Sequence, residues 1–236
     1  MSCEMLVAEE LSKVQNFQSF ISELKEIAKN ININNRDNSD DGRITSALKE
    51  GPFLNELKKI ILENHPDWEV FISPPRASYD IIINNTRINL KLTDCKSADN
   101  CMNKPSIFYS ITGNPKYPHS STYNEFLSHL YESRNQNQIK KQRDRSTEYY
   151  YLVKNKLTGD VLLKSIFDIH QYVSNPSNDL QINWKHEFEY SEYYTDDSEY
   201  LKKVEQLLLC LQKSVKDKIE RTKVFANANL SLLFES

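Results

Sequence analysis

The segment Ser78-Tyr79-Asp80-Ile81-Ile82-Ile83-Asn84-Asn85-Thr86-Arg87-Ile88-Asn89-Leu90-Lys91 constrains the fold more than any other part of the chain. Two runs rich in β-branched residues flank a polar Asn-Asn-Thr tip, the signature of a β-hairpin. Side chains alternate faces along a strand, so Asn89 and Lys91 point one way and Leu90 the other. Asp80, at the start of the first strand, can then converge with both. A carboxylate, an amide oxygen and an ammonium at one sheet edge suit a hard divalent cation and a water beside a phosphodiester. By spacing alone, an ordinary charged sheet edge explains Asp80 and Lys91 at least as well.

The elements around the hairpin predict an α/β (α+β) fold with a central mixed sheet flanked by helices. Leu11, Val14, Phe17, Ile21, Leu24 and Ile27 recur at helical spacing over about residues 10–28. This helix covers the edge of the core or meets a dimer partner. Asn30 to Asp41 reads as a polar linker, and Ile44 to Asn64 as a second helix adjusted at Gly51-Pro52 and ended by Pro66. Trp68 to Ile72 reads as a strand, with Pro74-Pro75 as the turn after it. Ser106 to Ile111 reads as a strand or strand-to-helix entry, and about 123–138 as a helix with Phe126, Leu127 and Leu130 inward. Tyr149 to Val153 is a central strand and Asp160 to Leu163 a further one. A short helix around Ser165 to Tyr172, an alternating His186 to Tyr190 and a long terminal helix from Glu199 complete the order. No internal repeat is visible. One domain over 1–236 is expected, with 1–41 as helix and linker and 42–236 as the core.

Composition narrows the function. The 39% hydrophobic content supports a globular core, and the net charge of −3 argues against a uniformly basic coat, so a nucleic-acid surface must come from local clusters of Lys and Arg. Four scattered cysteines and five isolated histidines, His65, His119, His129, His170 and His186, give no zinc spacing. The tyrosines at 149–151 and Trp184 read as core, and the acids Glu192, Asp196, Asp197 and Glu199 as a solvated helix cap. No stretch approaches the ~20 apolar residues of a membrane span, and the amino terminus lacks a signal-peptide pattern. The four glycines form no phosphate loop, which speaks against a nucleotide cofactor. A cytoplasmic protein is expected.

An upstream helix packed across the sheet brings Glu50 or Glu56 toward the hairpin's mouth as a further oxygen donor. With that acid in place the residues resemble the PD-(D/E)xK nuclease superfamily, in particular type II restriction endonucleases of the HincII and EcoRV kind. Glu50-Gly51-Pro52-Phe53 heads the helix much as a Gly-Glu-Pro-Phe segment does there. Lys96-Ser97-Ala98 follows the active-site strand, and Asn175 to Trp184 is similar to a Pro-Ser-x-Leu-x-Ile-Asn-Trp stretch. The similarity runs from about residue 44 to 220 through short motifs that persuade only as a set.

The resemblance implies a Mg²⁺-dependent, sequence-specific nuclease of double-stranded DNA, acting in a prokaryotic cytoplasm as a homodimer on a palindromic site. It makes Asp80, Asn89 and Lys91 catalytic, with Glu50 as the helix acid and Glu56 its alternative. The metal would be held by Asp80, the Asn89 amide oxygen and the Leu90 backbone carbonyl, with Glu50 assisting a second site. The sequence departs from the pattern at Asn89, where Asp or Glu is usual, although MspI-type enzymes also carry Asn-x-Lys. An amide lacks the charge of a carboxylate and holds Mg²⁺ more weakly. Tyr79 replaces the loosely kept proline. For DNA contacts the resemblance selects Lys96, Ser97, Asn100, Asn103, Lys104 and Ser106. The basic run Lys140, Lys141, Arg143 and Arg145 is a second footprint, with a solvated basic face almost as good an account. A catalytically quiet DNA-binding protein and a repair nuclease are the other readings.

Overall fold

The computed structural model describes residues 3–32, 42–74, 77–117 and 122–226. Much of the expected linker, Pro75 and His119 lie outside them. Helix α1 (Cys3–Asn30) and helix α2 (Gly42–Asn64) precede strands β1 (Val70–Ile72), β2 (Ile81–Ile83) and β3 (Thr86–Thr93). A two-residue strand β4 (Asp99–Asn100), helix α3 (Lys104–Thr112) and helix α4 (Tyr123–Asn135) follow. Strands β5 (Tyr149–Asn155), β6 (Val161–Ser165), β7 (Val173–Asn175) and β8 (Asp179–Ile182) lead to helices α5 (Trp184–Glu189) and α6 (Tyr200–Ala226).

Five strands form a mixed sheet in the order β1-β2-β3-β5-β6, and β4-β8-β7 form a smaller one. The first three strands pair antiparallel, β3 and β5 are parallel, and β5 and β6 are antiparallel. The expected hairpin is β2–β3. Ile83 pairs with Thr86, leaving Asn84 and Asn85 as a two-residue turn with φ of 47° and 65°. Asparagine tolerates that left-handed backbone, and such turns match the twist of the flanking strands. Thr86 therefore belongs to the strand rather than the tip.

Each face of the large sheet builds its own core. On one, Ile81, Ile83, Ile88, Leu90, Leu92, Tyr150 and Leu152 pack under α1 and α2 through Leu24, Ile27, Leu57 and Ile61. From Phe17 onward α1 thus serves its own sheet. Buried Lys154 anchors its end, donating from Nζ to the Ala28 carbonyl at 2.9 Å and the Lys29 carbonyl at 2.8 Å. Helix α2 runs through Pro52, which removes one intrahelical bond without ending the helix. On the other face Tyr149, Tyr151 and Val153 meet α3, α4, β8, Trp184 and α6.

Several local expectations change. Ser106 to Ile111 lies in α3, not a strand: the Asn103 side chain caps the Ser106 amide, Pro105 sits in the first turn, and Gly113 closes the helix at φ 72°. A short buried apolar run looks alike in helix and strand, and the caps decide. On α4, Phe126 and Leu130 are buried, but Leu127 is 49% exposed. Only Ile166–Asp168 is helical within 165–172, and His186 to Glu189 is helix rather than alternating strand.

The basic run 140–145 does not form one surface. The Arg143 side chain is fully buried, with Nε 2.7 Å from Glu148 Oε1, Nη2 2.8 Å from Glu148 Oε2 and Nη1 2.9 Å from Asp168 Oδ1. Arg145 pairs with Asp168 at 3.3 Å and Asp197 at 2.9 Å. Lys140 is partly buried and donates to Thr147 Oγ1 at 2.9 Å. These acids bind the cations inward because an unpaired buried charge is costly. Lys141 alone of the four is exposed.

Candidate active site

Burial along β3 alternates as the hairpin pattern requires: Ile88, Leu90 and Leu92 enter the core under α1 and α2, while Arg87, Asn89 and Lys91 are half-buried on the opposite face. The Arg87 guanidinium lies 3.7 Å from the centre of the Tyr109 ring, which secures it as a packing cation. Asp80 sits one residue before β2 and continues the ladder, its amide donating to the Ile88 carbonyl at 2.9 Å. Its Oδ2 accepts from the Leu90 amide at 2.7 Å. The N–H and C=O of a strand residue leave on the same side, so the Leu90 carbonyl is directed to Asp80's side too.

Three acids share the field of Lys91. Burial raises Asp80 above the usual aspartate range, opposed by the Leu90 amide and the Lys91 ammonium. Burial also raises Glu50, with Lys91 lowering it and Asp80 raising it further. Of the two candidate acids on α2, Glu50 is the one that lines the cleft with Lys91. Glu56 is exposed, with its carboxylate 3.7 Å from Lys59. The third acid is Asp99, which the sequence did not single out. Burial raises it, while Lys91 and a hydrogen bond with Thr93 oppose the rise. No ion pair closes on Lys91 among the described residues.

Glu50, Lys91 and Asp99 line one cleft of about 690 Å³, together with Lys96, Ser97, Asn100, Lys156 and Gln181. The Asn89 Oδ1 atom is buried with no hydrogen-bond partner. A buried acceptor left unpaired costs free energy unless something else supplies the contact. An all-oxygen set of Asp80, Glu50, Asn89 and the Leu90 carbonyl is the donor chemistry of Mg²⁺. The residues fit such a cation.

The predicted DNA-contacting loop divides. Lys96, 77% exposed and 3.2 Å from Asp94, stands at the cleft with Ser97 and Asn100. Asn103 and Ser106 turn inward instead. Asn103 Nδ2 donates to the Ser78 carbonyl at 2.6 Å and Ser106 Oγ to the same oxygen at 2.8 Å, with Ser106 fully buried. Both fasten α3 to the strand entry before Asp80, so neither reaches a base. Lys104 lies 4.7 Å from the centre of the Tyr123 ring.

His170 and His186, isolated in the sequence, meet Glu187 in a second cluster. The Glu187 carboxylate already accepts from the His170 and Gln171 amides at 3.0 and 3.1 Å, and the Lys164 ammonium is 3.3 Å away. Lys164 occupies the place of a cation there, and the cluster ties α5 to the 170–171 segment.

No family model matches the chain, and neither a curated protein nor a solved structure matches it. The fold itself is of the mixed α/β class, and no described helix is long and apolar enough to cross a membrane.

Proposed function

We propose that the protein is a Mg²⁺-dependent type II restriction endonuclease of the PD-(D/E)xK kind, cutting double-stranded DNA as a homodimer in a prokaryotic cytoplasm. One observation carries the reading. Glu50 from α2, Asp80 at the entry to β2 and Lys91 on β3 lie in one another's fields, beside a buried Asn89 oxygen that lacks a partner. The hairpin strand β3 runs parallel to β5, and its Lys91 shares one cleft with Glu50 of α2.

In this reading Asp80, Asn89 Oδ1 and the Leu90 carbonyl would hold the cation, and Glu50 would assist a second one. Bound there, Mg²⁺ supplies Lewis-acid stabilisation of phosphate charge. Lys91 orients the attacking water and stabilises the charge that develops on the phosphate. Its ammonium has three carboxylates around it and is locked to none, so it is available to the substrate. Lys96, Ser97, Asn100 and Lys104 remain as contacts to bases or phosphates, with Lys141 as a peripheral phosphate contact.

Incubation with phage DNA with and without Mg²⁺ should give discrete fragments only with the metal. Asp80→Ala and Lys91→Ala should each abolish cutting and leave metal-free DNA binding within about threefold of wild type, since Mg²⁺ and lysine act on the transition state. Cutting by Asp80→Ala at the wild-type rate would sink the assignment. Asn89, with no charge, favours a second reading, a DNA-binding protein that no longer cuts. Retention of DNA without fragments in Mg²⁺ would select it, and cutting without a fixed banding pattern would point to a repair nuclease.

A further inference from the structure

We infer that Asp99, held by the Thr93 hydroxyl at the wall of the cleft, orients Lys91 through its field without an ion pair and supplies the negative charge that Asn89 does not. The inference rests on the nuclease reading of this cleft. In a site with Asp or Glu two residues before the lysine, a carboxylate on the same strand face would flank the ammonium. Here that place holds an amide.

Asp99 comes to the cleft from the second sheet. Strand β3 ends at Thr93, and the chain turns through Cys95, which adopts a left-handed φ of 60°. The Cys95 amide donates to Thr93 Oγ1 at 3.1 Å, leaving the hydroxyl proton for Asp99. Antiparallel pairing then sets Asp99 opposite Ile182 of β8, and the Cys101 amide bonds the Leu180 carbonyl at 2.9 Å. Both sides of Asp99 are thereby fixed. Its carboxylate shares the cleft wall with Lys91 and Glu50. Lys91 acts on all three acids, Glu50, Asp80 and Asp99. Carried on β4 rather than on α2 or the hairpin, Asp99 is a counter-charge that comes to the cleft from a different element.

The charged neighbours of Asp99 divide in sign. Asp94 repels it, and Lys156 attracts it more weakly than Lys91 does. Asp94 is itself engaged by Lys96 at 3.2 Å. Lys91 is the dominant partner.

Steady-state cleavage of a plasmid with one site tests the role. Asp99→Asn should lower kcat about tenfold or more, because misplacing a catalytic group by 1 Å can cost 10²-fold, and should leave KM for DNA within about twofold. Thr93→Val should act in the same direction and Thr93→Ser should retain activity. Adding Asn89→Asp to Asp99→Asn should restore most of the lost kcat, since a carboxylate is returned beside Lys91. A structural defect would not be repaired by that change, and failure of the restoration would overturn the inference. Urea unfolding of Lys91→Met, Asp99→Asn and the double variant gives a readout independent of cutting. The unfolding constants should depart from multiplicative behaviour by about threefold or more; multiplicative constants would overturn the coupling. Coupling in a protein that cuts no DNA would leave the Asp99 inference standing and sink the nuclease reading.

Discussion

Asp80 and Glu50 are acids that burial pushes above the ordinary carboxylate range, so the fold bears a cost for holding them ionised. For an acid raised in the folded state, the native protein binds more protons than the unfolded one, and stability falls as pH rises through the folded value. Asp80→Asn removes that cost and keeps an oxygen to accept from the Leu90 amide. It should raise the melting temperature at neutral pH while abolishing cleavage. The gain should fade below the ordinary aspartate value of 3.8, where wild-type Asp80 is protonated in both states. Calorimetric melts at pH 7 and pH 3 check this, and a variant less stable than wild type at pH 7 would contradict it. Residue identity made Asp80 legible from the chain. Asp99 was hidden, because β4 is placed by its pairing with β8, far along the chain.

At the level of elements, local signals located β2, β3, β5, α4 and α6 well, since period and turn residues are properties of adjacent positions. They failed where a short apolar run is buried on all sides, as in α3. They also missed β4, whose two residues become a strand only by pairing with β8. Helix α1 shows the same dependence. Its apolar spacing was evident, yet its carboxyl end is held by Lys154 of β5, a residue far along the chain. Lys154→Met leaves two carbonyls without their donor and should destabilise the protein by about 1–3 kcal/mol. Urea unfolding, with amide exchange over residues 27–31, measures it, and unchanged stability and protection there would show that the bond is dispensable.

Across the molecule, the buried network of Arg143, Glu148, Asp168 and Arg145 joins the 140–148 segment to β6, the Ile166–Asp168 turn and the entry to α6. Glu148 also accepts from the Ser165 hydroxyl. Arg143→Met strands two buried carboxylates and should cost about 3–5 kcal/mol. Lys141→Ala should change stability by less than about 0.5 kcal/mol and, if Lys141 meets a phosphate, reduce the salt slope of DNA binding by about one. A folded Arg143→Met protein of wild-type stability that has lost only DNA affinity would restore Arg143 to a DNA surface.

The sequence by itself determined the mixed α/β class, the hairpin with its Asn-rich tip, and the alternation that sets Asn89 and Lys91 on one face, while the structure took Thr86 out of the tip into the strand. Those follow from backbone sterics and a period of two, which act over a few residues. Only the tertiary structure set Glu50 rather than Glu56 at the cleft, turned Asn103, Ser106 and Arg143 inward, and brought Asp99 to the same cleft as Lys91. Burial, charge pairing and strand partnership depend on residues distant in the chain, and a basic or acidic letter carries no record of which partner it will meet.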